Sequence, residues 1–459
     1  MKPLSAVSTL VSCLAFALMS MATQPAIAAI KMQLCIDTHF TPVGESRNLP
    51  PDSRETLEVT LADNYTSVES TQENEIVDFS LRRRFQIDNE SKTYVEYSLY
   101  STVGFRILEL QNRQKMHQLF NKMFEPGTPQ AAQFPSGEHG AIDDEHNLSI
   151  CIPGTSRNIV MTEKGDERIY TNENHQLARW RINGVAVNAA DAQRFVKFIR
   201  FRVGGHPEIL KRVAEEKIIP DKMVFTMHDM LSLCSRTLVI TNIHTTDSAS
   251  YNLAAYSKRK VSPSANKLEF ILDQAESRSP KAIEADKSAK RKAIDTVLQK
   301  GKIFDRLLGS LELALMGEPL QAFPDSQLLL MKTEPSITKF TKAMGAKTRD
   351  ELKMAVQTLV DLRSQAYTKS YLLKLFEASY RLRLVELDTA KNLFLEVLQS
   401  NPSLAGAYND LGGLLYMRYD TPGAWRCWDI ARRIAPQFPL SDKVNKLETS
   451  LVESFPEYF

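Results

Sequence analysis

The chain has 459 residues, with 57 Lys and Arg against 55 Asp and Glu and a formal net charge of +2. Acids and bases are interspersed, which excludes the one-signed basic face of a nucleic-acid binder. A chain this long exceeds one hydrophobic core, so two or three domains are expected.

At the N-terminus, Lys2 precedes an apolar run from Leu4 to Ala22, and Ala26-Ile27-Ala28 offers a small-x-small cleavage site. Residues 1–28 therefore read as a secretory signal peptide, removed after Ala28 so that the mature chain starts at Ala29. Leu10-Val11-Ser12-Cys13 is a rival lipoprotein box. Its apolar run before Cys13 is short and the residues after it stay apolar, which disfavours lipidation. A retained N-terminal membrane anchor is the third reading. No later run of about 20 apolar residues exists, so the expected protein is periplasmic or secreted and soluble once processed. Four cysteines follow the signal: Cys35, Cys151, Cys234 and Cys427. Export permits disulfides, but the spacing assigns no pairing and is too long for a zinc cluster.

Residues 29–270 read as an α+β domain. Leu57, Val59 and Leu61 alternate, as do Val77, Phe79 and Leu81, continuing through Phe85 and Ile87 with Arg83 as the exception. After the turn residues Asp88 to Ser91, Thr93, Val95, Tyr97 and Leu99 alternate again, completing a half-buried antiparallel hairpin. Phe105 to Phe124 carries Leu108, Met116, Leu119, Phe120 and Met123 at helical spacing. Strands are expected at Leu148–Ile152, Ile159–Thr162, Arg168–Tyr170, Leu177–Ile182, Leu238–His244 and Tyr251–Tyr256. A helix is expected over Ala189–Phe201, opened by Asn188. The stretch Ile76 to Tyr94, with Asp78-Phe79-Ser80-Leu81-Arg82-Arg83-Arg84 before a turn and Lys92-Thr93-Tyr94 after it, resembles the periplasmic lipoprotein-carrier half-barrels. That resemblance implies a curved antiparallel sheet over a helix, with an acyl chain as ligand.

Residues 271–292 are polar and charged and read as a linker or solvated helix. Residues 293–370 read as a helical bundle, with Ile303, Leu307, Leu308, Leu311 and Leu315 in one stripe. Thr348 and Glu351 form a capping box that opens a further helix. Then comes Tyr408-x2-Leu411-Gly412-x2-Leu415, followed by Ala424-x3-Trp428-x2-Ala431-x4-Pro436. Gly412, Ala424 and Ala431 are small where helices approach closely, and Tyr408, Leu411 and Trp428 fill the space between them. Thr421-Pro422 reads as a helix start and Pro436 as a helix stop.

These slots resemble a tetratricopeptide (TPR) repeat at 405–438. One period of about 34 residues upstream, Ala378, Ala390, Phe394 and Pro402 mark a degenerate repeat at 371–404. Residues 439–459 supply a capping helix, Ser441 to Ser454. The resemblance implies an all-helical region whose groove holds another polypeptide, with Asn409 and Tyr416 in groove-facing slots as partner-binding candidates. Gly406 and Gly413 leave two other slots bare, which argues against clamping of a C-terminal carboxylate.

Chemistry is sparse. Val203-Gly204-Gly205-His206 lacks the Lys-Ser/Thr of a phosphate loop. Neither a Gly-x-Ser-x-Gly elbow nor a His-Glu-x-x-His motif occurs. His139, Asp143, Asp144, Glu145 and His146 are metal-ligand types, but Pro135, Gly137 and Gly140 bracket them, so the stretch reads as a solvated acidic loop. Cys151 is expected in a strand, buried and without a base. No catalytic residue, cofactor or metal is assigned, and an enzyme is not the favoured reading. The favoured function is a protein-interaction scaffold or adaptor of the cell envelope. The alternatives are a binder of lipid or a small apolar ligand through the sheet, and a hydrolase whose site is assembled from distant residues.

Overall fold

The computed structural model describes residues 27–43, 49–71, 73–123, 137–155, 157–173, 175–229, 232–320, 322–366 and 368–459. Most of the expected signal peptide, Cys13 and Pro135 lie outside them. An antiparallel sheet dominates the first half and helices fill the second, so the α+β and all-α regions succeed one another as expected.

Two long strands, β1 (Ile27–Pro42) and β13 (Ser232–Ala249), form the spine of a 12-stranded sheet. On one side of β1 run β2 (Ser53–Leu61), β3 (Tyr65–Glu69), β4 (Glu73–Asp78), β5 (Arg83–Asp88) and β6 (Thr93–Ser98), each antiparallel to the last. The two-residue β14 (Ser257–Lys258) closes that edge, parallel to β6. Beyond β13 lie β12 (Lys222–His228), β9 (His175–Arg181), β8 (Glu167–Asn172) and β7 (Val160–Lys164). A separate ribbon joins β10 (Gly184–Ala186) to β11 (Ile218–Pro220).

Alternation decides which face is inner. Ile30, Met32, Leu34 and Ile36 of β1, with Leu57, Val59 and Leu61 of β2, are buried on one face. Helices α3 (Ala189–Arg202) and α4 (Pro207–Glu216) cover it with Phe195, Phe198, Ile199, Leu210 and Val213. The inner face is thus filled by side chains of the chain itself. Asn188 caps α3 as its sequence suggested, accepting from the Asp191 N–H.

Several strand readings need correction. Val77 to Ile87 is two strands, because a turn at Phe79–Arg82 breaks the run, with Asp78 accepting from the Leu81 N–H and the Ser80 hydroxyl. Leu148–Ile152 is the end of a helix and a loop. Tyr251–Tyr256 forms no strand; Tyr251, Leu253 and Tyr256 instead cover the outer face over Tyr65, Phe85 and Ile87. In that last segment the apolar residues cover a neighbouring face rather than alternate within a ladder.

Helix α1 (Leu99–Met123) leaves β6 directly, and α2 (Gly137–Leu148) follows. The second half comprises α5 (Lys267–Ser277), α6 (Pro280–Gln299), α7 (Ile303–Leu315), α8 (Asp325–Thr333), α9 (Pro335–Met344), α10 (Arg349–Leu362), α11 (Ser370–Arg383), α12 (Leu387–Ser400), α13 (Ala405–Met417), α14 (Thr421–Ile434) and α15 (Ser441–Ser454). The charged 271–292 stretch is helical, and its Leu272, Ala275 and Ile283 sit in the helical core. Thr348 and Glu351 make the expected capping box on α10. The cap of α14 is Asp420, one residue before the expected Thr421; the Thr421 hydroxyl donates to the Ser101 carbonyl of α1 instead.

Three-residue connections make α11/α12 and α13/α14 helical hairpins. Ser370 and Ala405 open their first helices 35 residues apart, and Leu387 and Thr421 their second helices 34 apart. Tyr408, Leu411, Gly412, Ala424, Trp428 and Ala431 are all buried, and Pro436 lies just past α14. A side chain at Gly412 would meet the Trp428 indole nitrogen at 2.4 Å. One apolar core runs from α1 through every helix of the second half to Tyr458.

Candidate functional sites

Among the described residues, chemically capable side chains gather in a cleft and, separately, around α2. The first is a cleft of about 710 Å³ between the β14 edge of the sheet and helices α5 and α14. Arg83 of β5 spans it, bonding Asp429 of α14 at 2.9 Å and Glu96 of β6 at 3.2 Å. Lys258 joins Glu276 of α5 at 2.7 Å. Arg426 of α14 meets Asp273 at 2.8 Å, Glu276 at 2.9 Å and Glu269, all on α5. Burial alone would raise the Glu276 carboxyl, yet its bonds to Arg426 and Lys258 hold it below the usual carboxylate range. Seven basic side chains line the cleft against four acidic ones. Glu269 and Glu448, just outside that lining, pair with Arg426 and Arg432, so the positive surplus is carried by Arg259 and Lys260, which stand exposed at the rim.

The expected groove-facing slots of α13 lie elsewhere. Tyr416 is half-buried, with its ring 5.7 Å from Trp425 and 5.8 Å from Trp428. Asn409 is half-buried, its side-chain amide 3.4 Å from Asp410 and its backbone carbonyl accepting from the Trp428 indole at 3.2 Å. A side chain on Gly406 would meet Leu315 of α7 at 2.5 Å, while Gly413 faces open space.

The second place is α2. Its acidic run was expected to be a solvated loop, and this is corrected: it is helical, and Asp143, Asp144, Glu145 and His146 are all buried. Pro and Gly at the start suggested a loop, but from Asp143 to Asn147 each polar side chain of this helix finds a polar partner. Asp144 meets His117 of α1 at 2.7 Å and Arg113 at 3.2 Å. Glu145 is clamped by Arg157 at 2.8 and 2.5 Å. His206 caps α4 by accepting from the Glu208 N–H through Nδ1, which leaves Nε2–H to donate to Glu145 at 3.2 Å. Burial favours the neutral Glu145 acid, but Arg157 and His206 outweigh it and hold the carboxyl below its usual range. His146 Nδ1 accepts from the His206 N–H at 2.9 Å; burial, then the neighbouring histidines, press its pKa down to about 3. Asp143 lies near His175 and His228, with one possible ligand atom from each within 4.8 Å of the others.

Cys151 lies in a loop beside this network rather than in a strand. Burial and Glu145 push its thiol up to about 11, away from nucleophilic use. Cys35, Cys151, Cys234 and Cys427 are all free thiols. Cys35 faces Val239 and Cys234 faces Phe40 across β1 and β13, five positions apart in register, roughly 17 Å.

No protein-family model and no curated protein matches the chain. A solved structure describing lipid–protein interactions in lipovitellin aligns with 94% of this chain and 55% of that one, at 9% identity and a TM-score of 0.19. The chain thus spans about half that protein's length, and a likeness so slight carries no argument about fold or ligand. Among the described residues, no helix is long and apolar enough to cross a membrane.

The α2 network was invisible in sequence because its partners are Arg113, His117, Arg157, Asn172, His175, His206 and His228, spread along the chain. The one available signal was the density of ligand types between His139 and His146. The cleft left a weaker trace, the basic run Lys258-Arg259-Lys260 near the end of the expected α+β domain.

Proposed function

We propose that the protein is an exported scaffold or adaptor of the cell envelope that holds an acidic polypeptide segment in the cleft between β14 and α14. The observation that carries this reading is the cleft's net positive lining, with Arg259 and Lys260 exposed at the rim. Paired hairpins at 34–35-residue spacing support a TPR-like reading of α11 to α14. Those slots of α13 that would line a repeat groove are partly closed by Leu315 and by the Trp425–Trp428 pair. The cleft beside α14 is the more open surface for a partner, and Asn409 and Tyr416 then act mainly in packing. An extended segment can also use the edge of β14, whose outer side has no neighbouring strand among the described residues.

Binding of labelled Asp/Glu-rich peptides, followed by fluorescence anisotropy, tests this. The expected result is saturable binding that weakens with salt and drops at least tenfold in an Arg259→Glu, Lys260→Glu double variant of unchanged melting temperature. Equal affinity of wild type and double variant, or no binding of any acidic peptide, would refute it.

A further inference from the structure

The α2 network holds a second capability, independent of the cleft. We propose that Asp143, His175 and His228 form a metal centre that binds one divalent transition-metal ion, zinc being the best chemical match. Their ligand atoms lie within 4.8 Å of one another, and His175 Nδ1 is 3.7 Å from Asp143 Oδ2. Donors sharing one zinc ion at ordinary bond lengths sit roughly 3.3 Å apart, so small side-chain rotations close the set.

The fold explains the convergence. Strands β9 and β12 pair with Met223 opposite Trp180 and Phe225 opposite Ala178. Continuing that register three residues past Phe225 sets His228 opposite His175. Their rings accordingly stack in parallel, with centroids 4.5 Å apart and 6° between planes. Asp143 reaches the same point from α2, one turn before Asn147, whose amide donates to the His228 carbonyl. Two cross-strand histidines and a helical carboxylate thus meet from three elements, each separately anchored.

The surrounding bonds suit ligation. His228 Nε2–H donates to the Gln176 carbonyl at 3.0 Å, which orients the ring and leaves the Nδ1 lone pair for an ion. The Asn172 amide donates to Asp143 Oδ1 at 3.3 Å, orienting the carboxylate. Asp143 is buried while the His175 side chain is 42% exposed, so the set opens to solvent on one side. Two imidazoles and one carboxylate match the donor set of catalytic zinc sites, with a position left for water or a substrate oxygen.

The test uses the tag-free full chain, stripped with chelator and titrated with Zn²⁺ by calorimetry and with Co²⁺ by visible absorption. One equivalent of Zn²⁺ is expected, displaced by excess chelator. The Co²⁺ form is expected to show the visible bands of a low-coordinate N/O site. His175→Ala and His228→Ala should each weaken Zn²⁺ binding at least tenfold, whereas the exposed His244→Ala should not. His175 is partly exposed, so its variant is expected to keep its circular dichroism and melting temperature. Absence of stoichiometric Zn²⁺ and Co²⁺ binding by the folded wild type would overturn the proposal. So would unchanged affinity in the folded His175→Ala variant, which would leave the three side chains as a hydrogen-bonded cluster only.

Discussion

Glu145 and His146, neighbours on α2, make the fold acid-sensitive in a defined way. The unfolded chain protonates His146 near pH 6.5, whereas burial presses the folded value to about 3. The unfolded state therefore binds the extra proton between those values. Stability is intact above pH 6.5 and falls, by about 1.4 kcal/mol per pH unit, as pH drops toward 3. Glu145 adds a loss of the same sign below its ordinary 4.5, because Arg157 and His206 hold its folded carboxyl lower. His146→Gln keeps an acceptor for the His206 N–H but cannot titrate. Urea melts at pH 6.5 and 5 should show the wild type losing about 2 kcal/mol more than the variant. Identical losses would contradict a neutral buried His146. At this scale the sequence was partly readable. The residue types from Asp143 to His146 were conspicuous, but their burial depended on Arg113, His117, Arg157 and His206, whose approach no local pattern announces.

Helix α14 shows what element-scale reasoning could and could not supply. Its apolar positions and the small residues at 424 and 431 gave the helix, its partner and its buried face, because helical periodicity is local. Ala424 is fully buried, so Ala424→Leu should destabilise the fold by roughly 1–3 kcal/mol through overpacking, while exposed Lys443→Ala on α15 should be near neutral. Chemical melts of the full chain check this, and equal midpoints for the two variants would contradict the packing described. Strands were less legible than helices. Val77 to Ile87 alternates except at Arg83, and a turn divides it, since Asp78 satisfies the turn's donors. Tyr251 and Tyr256 have strand-forming character but serve as a cover over Phe85 and Ile87. Alternation registers burial on one side; it does not distinguish a ladder from a lid.

Across the whole molecule, α1 and the last residues join sheet to helices. Gly104 of α1 lets the Trp425 indole approach so closely that a side chain there would meet it at 2.7 Å. Tyr458 is fully buried, accepts from Arg106 at 2.8 Å, donates to the Ser149 carbonyl and meets Phe201 edge-on. Tyr458→Ala should therefore cost about 3–5 kcal/mol and split a single cooperative melt into two. A single, unshifted transition would contradict this coupling. Arg83, Lys258 and Arg426 also tie β5, β14, α5 and α14 together around the cleft through ion pairs. The central claim, that this cleft receives a partner, is tested most directly by site-specific photocrosslinking in the cell envelope. A photoreactive residue at Lys260 should give a discrete adduct containing an acidic segment of another protein, and one at the exposed Lys353 on α10 should not. Failure of position 260 to crosslink in the folded chain, or the same adduct from both positions, would contradict the account.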